Sequence, residues 1–299
     1  MVPDTFAELR PLLVSIAYRM LGSVSEAEDV VQEVFLRVQR ELAAGTEIRS
    51  PKAYLSAAVT RLAIDQLRSA RARREEYLGT WLPEPVLTDD PAEKADSISM
   101  AFLLLLERLT PVERAVFLLH DVFAYGFDEI ATIVGKSEAN CRQLALRARR
   151  HVEAGKPRFE VSHDARDDLA AKFFAAANAG DMDGLVRVLA NDVVVYGDGG
   201  GKAPQWAAPI VGADRVAKLF AGLGRQMREH HATVTLRQIN GQPGAVVTAP
   251  DGALVNVFTL DIADGAVHAI RSVINPDKLR HLGPVADVRA LLASQARRP

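Results

Sequence analysis

One cysteine, Cys141, is all the thiol the sequence holds, so no intrachain disulfide can form and no CxxC or Cys/His zinc spacing exists. Such a chain suits a reducing compartment, and the lone thiol reads as a small apolar group inside a helix. Aromatic residues are scarce as well, at 6% of the chain. Neither sign of charge dominates: 36 Lys and Arg against 38 Asp and Glu leave a formal net charge of -2. That balance excludes a histone-like partner but leaves room for local asymmetry. Long apolar runs are missing too; the strongest, residues 101–106, is too short for a bilayer and is followed by Glu107 and Arg108. Residues 1–10 carry Asp4 and Glu8 and lack the apolar centre of a signal peptide. The expectation is a cytoplasmic protein without membrane contact. What is present is apolar material, 48% of 299 residues, enough for two or three domains with their own cores.

Apolar spacing divides the first half into helices. Phe6, Leu9, Leu13, Ile16 and Met20 recur at helical intervals, and Gly22 stops the run. Ser25 with Glu28 three positions on reads as a capping box, opening a helix with Val31, Val34, Phe35 and Val38 on its apolar face. Residues 45–50 form a loop, and Ser50-Pro51 starts a third helix that runs into a basic stretch. Three prolines and two adjacent aspartates within residues 81–91 have no helical period and predict a flexible acidic linker. Helices resume near Ile98. Thr110-Pro111-Val112-Glu113 is a second capping box, and two short helices follow over residues 127–134 and 137–151, parted by Gly135.

Composition changes again at Gly155-Lys156-Pro157. Beyond it the spacing predicts helices over 169–177 and 185–189 and strands over 193–196, 232–239, 245–248, 254–262 and 267–274. Gly241-Gln242-Pro243-Gly244, Asp251-Gly252 and Asp264-Gly265 are the turn signals. The expected architecture is multidomain: two all-α domains over 1–80 and 98–155, linkers over 81–97 and 156–164, and an α+β domain with a curved antiparallel sheet and a C-terminal tail over 165–299.

Three constellations bear chemistry. Residues 113–149 have the layout of a helix-turn-helix, in which one short helix supports another that offers its N-terminal residues to a DNA groove. There Ser137, Asn140 and Gln143 are placed to hydrogen-bond to base edges, and Arg142, Arg147 and Arg149 to neutralise phosphates. An ordinary helical hairpin with a solvated basic face is the alternative. The second constellation is Arg61, Arg68, Arg71, Arg73 and Arg74; two basic helices joined by a linker suit a protein gripping two separate DNA sites. The third is the acidic helix with Glu26, Glu28, Asp29, Glu33 and Glu41, a poor DNA surface that suits either solvent or a basic protein partner.

At these residues the chain resembles a family. Tyr18-Arg19-Met20-Leu21-Gly22, the run from Glu28 through Phe35, and Arg61-Leu62-Ala63-Ile64-Asp65-Gln66-Leu67-Arg68 resemble region 2 of extracytoplasmic-function (group-four) sigma factors. Leu109-Thr110-Pro111-Val112-Glu113-Arg114, Asp128-Glu129-Ile130-Ala131 and the segment from Ser137 through Arg149 resemble region 4. The resemblance implies that Asp29, Gln32, Glu33 and Phe35 dock on the β′ clamp helices of core RNA polymerase and that region 4 meets the β flap. It implies that the 45–50 loop and the basic helix melt and read the −10 promoter element by drawing a base out of the stack, at a cost of about a few kcal/mol. The helix from Ser137 would read the −35 element. Many relatives carry asparagine where this chain has Arg61.

Trp81-Leu82-Pro83-Glu84-Pro85, Asp198-Gly199-Gly200-Gly201-Lys202 and Asn275-Pro276-Asp277-Lys278-Leu279 look like the sigma-factor subgroup with a fused SnoaL-like domain. That resemblance implies a cone of helices against a curved sheet. It also implies contacts of the last two motifs with the sigma half, and regulation in cis that requires no separate anti-sigma factor. The alternative for both motifs is ordinary turn chemistry. Some SnoaL-like relatives are cyclases or isomerases, but Asp192, His230, His231 and His268 form no acid–base motif, so no catalytic residue, metal or cofactor is expected. Two rivals stand beside the sigma-factor reading: a stand-alone helix-turn-helix regulator with a ligand-sensing domain, and a cyclase-like enzyme with a helical appendage.

Overall fold

The computed structural model describes residues 2–89, 98–153, 163–206 and 208–290, without the side chains of 2–5 and 70–75. It falls into two compact units, Met1–Glu76 with Phe102–Lys156, and Tyr77–Ala101 with Pro157–Pro299. Among the described residues no helix is long and apolar enough to cross a membrane.

The first unit is helical. α1 (Val2–Leu21), α2 (Val24–Ala43) and α3 (Pro51–Glu75) pack around Leu13, Ile16, Met20, Val30, Val34 and Leu67. The cap of α2 is Ser23 rather than Ser25: the Ser23 hydroxyl accepts from Glu26 N–H at 3.1 Å. Gly22 releases the chain from α1 so abruptly that the next helix starts two residues early, and Glu28 pairs with Arg10 instead of closing a capping box. After α4 (Met100–Leu106), the expected capping box does form at the head of α5 (Pro111–Phe117). Glu113 N–H donates to the Thr110 hydroxyl at 3.3 Å and Thr110 N–H donates back to the Glu113 carboxylate at 3.0 Å. Burial works to raise the Glu113 pKa, but the Thr110 hydroxyl and N–H and the Arg147 charge outweigh it and hold the carboxyl below its ordinary range. A π turn, Leu118–Val122, leads to α6 (Phe127–Val134) and α7 (Glu138–Glu153). Arg114 is 0% exposed; its Nε donates to the Arg19 carbonyl at 2.9 Å and its guanidinium pairs with Glu107, which supplies the partners a buried charge needs.

The second unit sets α8 (His163–Ala179), α9 (Met182–Val188) and α10 (Ala213–Glu229) against a six-stranded curved sheet. Its strands are β1 (Leu189–Asp198), β2 (Ile210–Val211), β3 (Thr233–Ile239), β4 (Gln242–Thr248), β5 (Leu254–Ala263) and β6 (Ala266–Val273), in spatial order β2-β1-β6-β5-β4-β3. The antiparallel expectation holds for every pairing but one, since β1 runs parallel to β6. The core joins Phe173 of α8, Phe220 of α10 and Phe258 of β5, with ring centroids 4.9 and 5.6 Å apart in tilted edge contacts.

Two further features depart from the sequence expectation. The turn assigned to Gly241-Gln242-Pro243-Gly244 is the tighter Asn240-Gly241, both at positive φ, with Ile239 paired to Gln242. This is the two-residue hairpin that matches strand twist, and it draws Gln242 through Gly244 into β4. Pro243 is tolerated because β4 pairs with β5 only from Gly244 onward. The sequence reading also passes over α10, whose buried Val216, Ala217 and Phe220 are followed by two glycines, Gly222 and Gly224, that dilute the helical signal.

Those two glycines differ in kind. A Cβ on Gly224 would lie 1.9 Å from the Ala177 carbonyl oxygen of α8, whereas a Cβ on Gly222 meets nothing within 4 Å. Gly224→Ala is therefore expected to destabilise the domain by about 1–3 kcal/mol through overpacking, and Gly222→Ala to stabilise it by about 0.5–1 kcal/mol through helix propensity. Chemical denaturation of the two variants checks the opposite signs.

Candidate functional site

The helix-turn-helix rests on a small core of Val116, Leu119, Tyr125, Ile130, Ile133 and Leu144, with Cys141 among them. Burial pushes the Cys141 thiol up, so it packs as an apolar group. Gly135 closes α6 and α7 starts at Glu138, which leaves Ser137, Asn140 and Gln143 exposed at the leading end of α7. The Ser137 hydroxyl accepts from Asn140 N–H at 3.3 Å. Every arginine expected at phosphates here has a carboxylate: Arg142 with Glu138 at 2.7 Å, Arg147 with Glu113 at 3.3 Å and Arg149 with Asp121 at 2.6 Å. The exposed Arg142–Glu138 pair is of the kind worth about 0–1 kcal/mol, so its exchange for a phosphate is cheap, whereas the Glu113 partner of Arg147 is buried. Lys136, exposed in the turn, is a cation the sequence reading left out.

The basic helix α3 divides. Arg68 is exposed and pairs with Asp65 at 3.0 Å. The side chains of Arg71, Arg73 and Arg74 lie outside the described residues. Arg61 turns to the helix-turn-helix: its Nε donates to the Ile133 carbonyl and its Nη2 to the Thr132 carbonyl, both at 2.8 Å. These are carbonyls of the last turn of α6, where a cation meets the negative end of the helix dipole. Tyr125 adds a hydrogen bond to Ser56 at 2.8 Å. The 45–50 loop, Tyr54, Arg61 and α6 line a crevice of about 650 Å³.

On α2 the exposed residues Asp29, Gln32, Glu33 and Leu36 share one face. Leu36 is 44% exposed, an apolar centre in an acidic surface. Its spacing from Asp29 and Gln32 could have identified it. Phe35 does not share this face; its ring stacks on Phe6 of α1 at 4.0 Å and so holds the helix from behind.

The glycine-rich loop and the Asn275 motif do meet, around a buried carboxylate. Asp198 ends β1 and is 0% exposed. Its Oδ2 accepts from Leu82 N–H at 2.8 Å and from Lys278 Nζ at 2.6 Å, and its Oδ1 accepts from the Tyr77 hydroxyl. Lys278 also donates to the Leu82 carbonyl and lies 4.4 Å from the Trp81 ring centroid. Asn275 caps the short helix α11 (Pro276–Leu279) that carries Lys278, donates its side-chain amide to Tyr77 at 2.8 Å, and bonds through its own N–H to the Asp198 carbonyl at 3.0 Å. Leu279 is buried beneath, and Lys202 pairs with Asp277. Gly199 is needed for space, since a Cβ there would be 2.4 Å from the Ala203 carbonyl oxygen, and Gly200 and Gly201 sit at φ 57° and 68°, where a side chain is strained.

Segment 81–88, expected as a flexible acidic linker, is thus held. Leu82, Glu84 and Thr88 are buried. Val86 and Asn240 exchange hydrogen bonds, Thr88 N–H donates to the Gln238 carbonyl at 2.9 Å, and Leu87 bridges Ile239. The physical reason is the edge of the sheet: β3 has a neighbour on one side only, and its open amides take the segment as a further strand. Proline keeps residues 83–85 extended, which suits them to that role.

Of the weighed catalytic candidates, Asp192 and His268 form a surface pair 4.0 Å apart, with side chains 87% and 41% exposed, and His231 is exposed in a turn. His230 lines a cavity to which no described Asp or Glu contributes.

Comparison with known proteins follows the same division. Residues 5–73 match the family described as Sigma-70 region 2, residues 99–152 Sigma-70 region 4, and residues 170–270 the SnoaL-like domain. The chain is similar to the ECF RNA polymerase sigma factor SigJ of Mycobacterium tuberculosis, 39% identical over 288 residues that span 91% of each chain. It is also similar to the probable ECF RNA polymerase sigma factor SigI of that organism, 35% identical over 90% of this chain and 92% of SigI. The crystal structure of the extracytoplasmic function sigma factor SigJ superposes with a TM-score of 0.73 at 36% identity, covering 96% of this chain and all of that one.

Two outcomes follow for the buried site. Asp198→Ala leaves the Lys278 ammonium buried without its counter-charge, a loss of about 3–5 kcal/mol; calorimetry is expected to show the transition of the C-terminal unit falling by about 10 °C. Burial, then the hydrogen bond to Asp198, push the Tyr77 phenol far above its ordinary value. Because the folded value exceeds the unfolded one near 10, the Tyr77 contribution is complete below about pH 10 and is lost as pH rises beyond it. Denaturation of the native chain and Tyr77→Phe at a series of alkaline pH values is expected to show the native advantage shrinking above about pH 10.

Proposed function

The chain belongs to the extracytoplasmic-function sigma factors of RNA polymerase, and we propose that it binds the core enzyme, directs initiation at specific promoters and is governed in cis by its own C-terminal domain. The observation that carries this reading is the correspondence with SigJ over nine-tenths of both chains, with the three family matches in order along the sequence. A stand-alone repressor or a cyclase is not favoured by relatives of this kind, and the protein is read as a non-enzyme acting in the cytoplasm.

In this reading Asp29, Gln32, Glu33 and Leu36 meet the β′ clamp helices, while Phe35 supports them from behind. Region 4 meets the β flap and presents Ser137, Asn140 and Gln143 to the −35 element, with Arg142, Arg147 and Arg149 trading carboxylates for phosphates. The 45–50 loop and α3, with Arg68, Arg71, Arg73 and Arg74, take the −10 element. Arg61 serves first as a clasp on α6 and meets DNA only once that clasp opens.

Distance supports the need for opening. Elements about 25 base pairs apart are separated by on the order of 80 Å at about 3.4 Å per pair, whereas the Arg61 and Tyr125 hydrogen bonds hold the two DNA-reading domains side by side. The linker then sets the reach. Residues 77–98 fully extended span on the order of 70 Å, but 90–98 alone span on the order of 30 Å. While Tyr77 through Asp89 are held on the C-terminal domain, the separation of their two ends is fixed, which restricts how far the two DNA-reading domains can be placed apart. A fused domain doing this needs no separate anti-sigma factor, because it is always present at high effective concentration.

Gel filtration with core polymerase tests the first claim: the full chain is expected to co-elute, and Asp29→Arg/Glu33→Arg to bind about tenfold more weakly or worse through charge reversal. Failure of the full chain to co-elute or to stimulate initiation would sink the reading. The second claim is tested by transcription with the full chain and with a chain ending near residue 157. Promoter preference or activity is expected to differ; identical behaviour would remove the cis-regulatory role.

A further inference from the structure

Between the last turns of α10, strands β4 and β5 and the 204–206 loop lies a cavity of about 380 Å³ that neither DNA reading nor polymerase binding uses. It falls within the roughly 300–1,000 Å³ range of small-molecule sites. Trp206, Leu223, Met227, Val247 and Val255 give it an apolar wall. Gln205, Gln226, His230 and Asn256 supply the polar groups, and no described Lys, Arg, Asp or Glu lines it.

The polar groups are arranged, not scattered. Gln205 and Asn256 both donate to the Ser272 hydroxyl, at 3.1 and 2.9 Å, and Ser272 donates back to Asn256 at 3.2 Å, so this end is internally satisfied. The opposite holds for His230, whose Nε2 is buried with no hydrogen-bond partner among the described residues. A buried ring nitrogen in that state favours a ligand bearing a single complementary group. A charged ligand would enter without a counter-ion and lose its hydration, which selects against it.

The walls of the cavity are also the supports of the Asp198 site. Gln205 packs over the backbone of Gly197 and Gly199, on either side of Asp198. Ile274 N–H donates to the Asp198 carbonyl at 2.9 Å. Val288 is followed by Arg289, which donates to the Gly201 carbonyl at 2.8 Å. Ala203, Ile274 and Val288 pack together as a small apolar cluster between the two sites.

We propose that this cavity is a receptor site for an uncharged, mainly apolar small molecule with one hydrogen-bonding group, and that its occupancy changes the hold of the Asp198 site on the linker. This goes beyond promoter recognition and does not depend on polymerase binding.

The test uses the full-length chain and N-phenyl-1-naphthylamine, a neutral fluorophore with one N–H. Saturable binding to one site is expected. Ala249→Phe and Val255→Phe each add a ring at the wall formed by the neighbouring ends of β4 and β5 and are expected to weaken binding about tenfold or more, with circular dichroism confirming that each is folded; should one fail to fold, the other decides. At saturation, hydrogen exchange at Leu82, Val86 and Thr88, whose amides donate to Asp198, Asn240 and Gln238, is expected to change by about threefold or more. Unsaturable binding, or binding unchanged in the folded filling variants, overturns the site. Saturable binding with linker exchange unaltered overturns the coupling.

Discussion

A carboxylate removed from water dictates the arrangement of the C-terminal half. Asp198 has no solvent to stabilise it, so every group around it answers to its charge. Lys278 neutralises it, Leu82 and Tyr77 donate to it, and the Asn275 cap fixes the short helix from which Lys278 reaches in. Three segments distant in sequence become interdependent through one side chain. Buried pairs of this sort add little net stability over an apolar packing, but losing either partner is costly. Their effect is therefore on register: the linker fits with Leu82 opposite Asp198 and in no neighbouring alignment.

The sigma half uses charge in the opposite way. Apart from the buried Arg114, its arginines at the helix-turn-helix and on α3 sit at or near the surface, Arg142 on the exposed Glu138 among them, and Arg61 is satisfied by helix-end carbonyls and not by a carboxylate. Such contacts hold a resting arrangement without committing much free energy to it. A polyanion with closely spaced phosphates competes for several of them at once. The deep charge cluster fixes the linker, and the shallow pairs leave the DNA-reading helices ready to change partners.

Much of this was readable from the residues because it depends on local chemistry. The Thr110 capping box, the bounds of α6, the start of α3 at Pro51 and the Asp264-Gly265 hairpin follow from rules that act over a few residues. The motifs around Asp198 and Asn275 were legible as motifs, but their purpose was not. Their partners are a tyrosine at the end of the expected first helical domain, and a backbone amide and an indole in the segment that composition marks as a free linker, and nothing local reports that a distant sheet edge lacks a strand. Helix α10 was lost to its glycines, one of which is demanded by the passing α8 backbone, a contact no local pattern encodes. Helical spacing places Phe35 on the apolar face of α2, and its contact with Phe6 of α1 agrees with that placement.

Residues 86–88 lie along β3 as its outer neighbour. Departure of the linker would bare the donors and acceptors of Gln238 through Asn240 as well, extending an edge on which Leu236 is already exposed. An unguarded row of this kind invites a second chain to join the sheet. Seated there, the linker acts as a guard against edge-to-edge association as well as a tether.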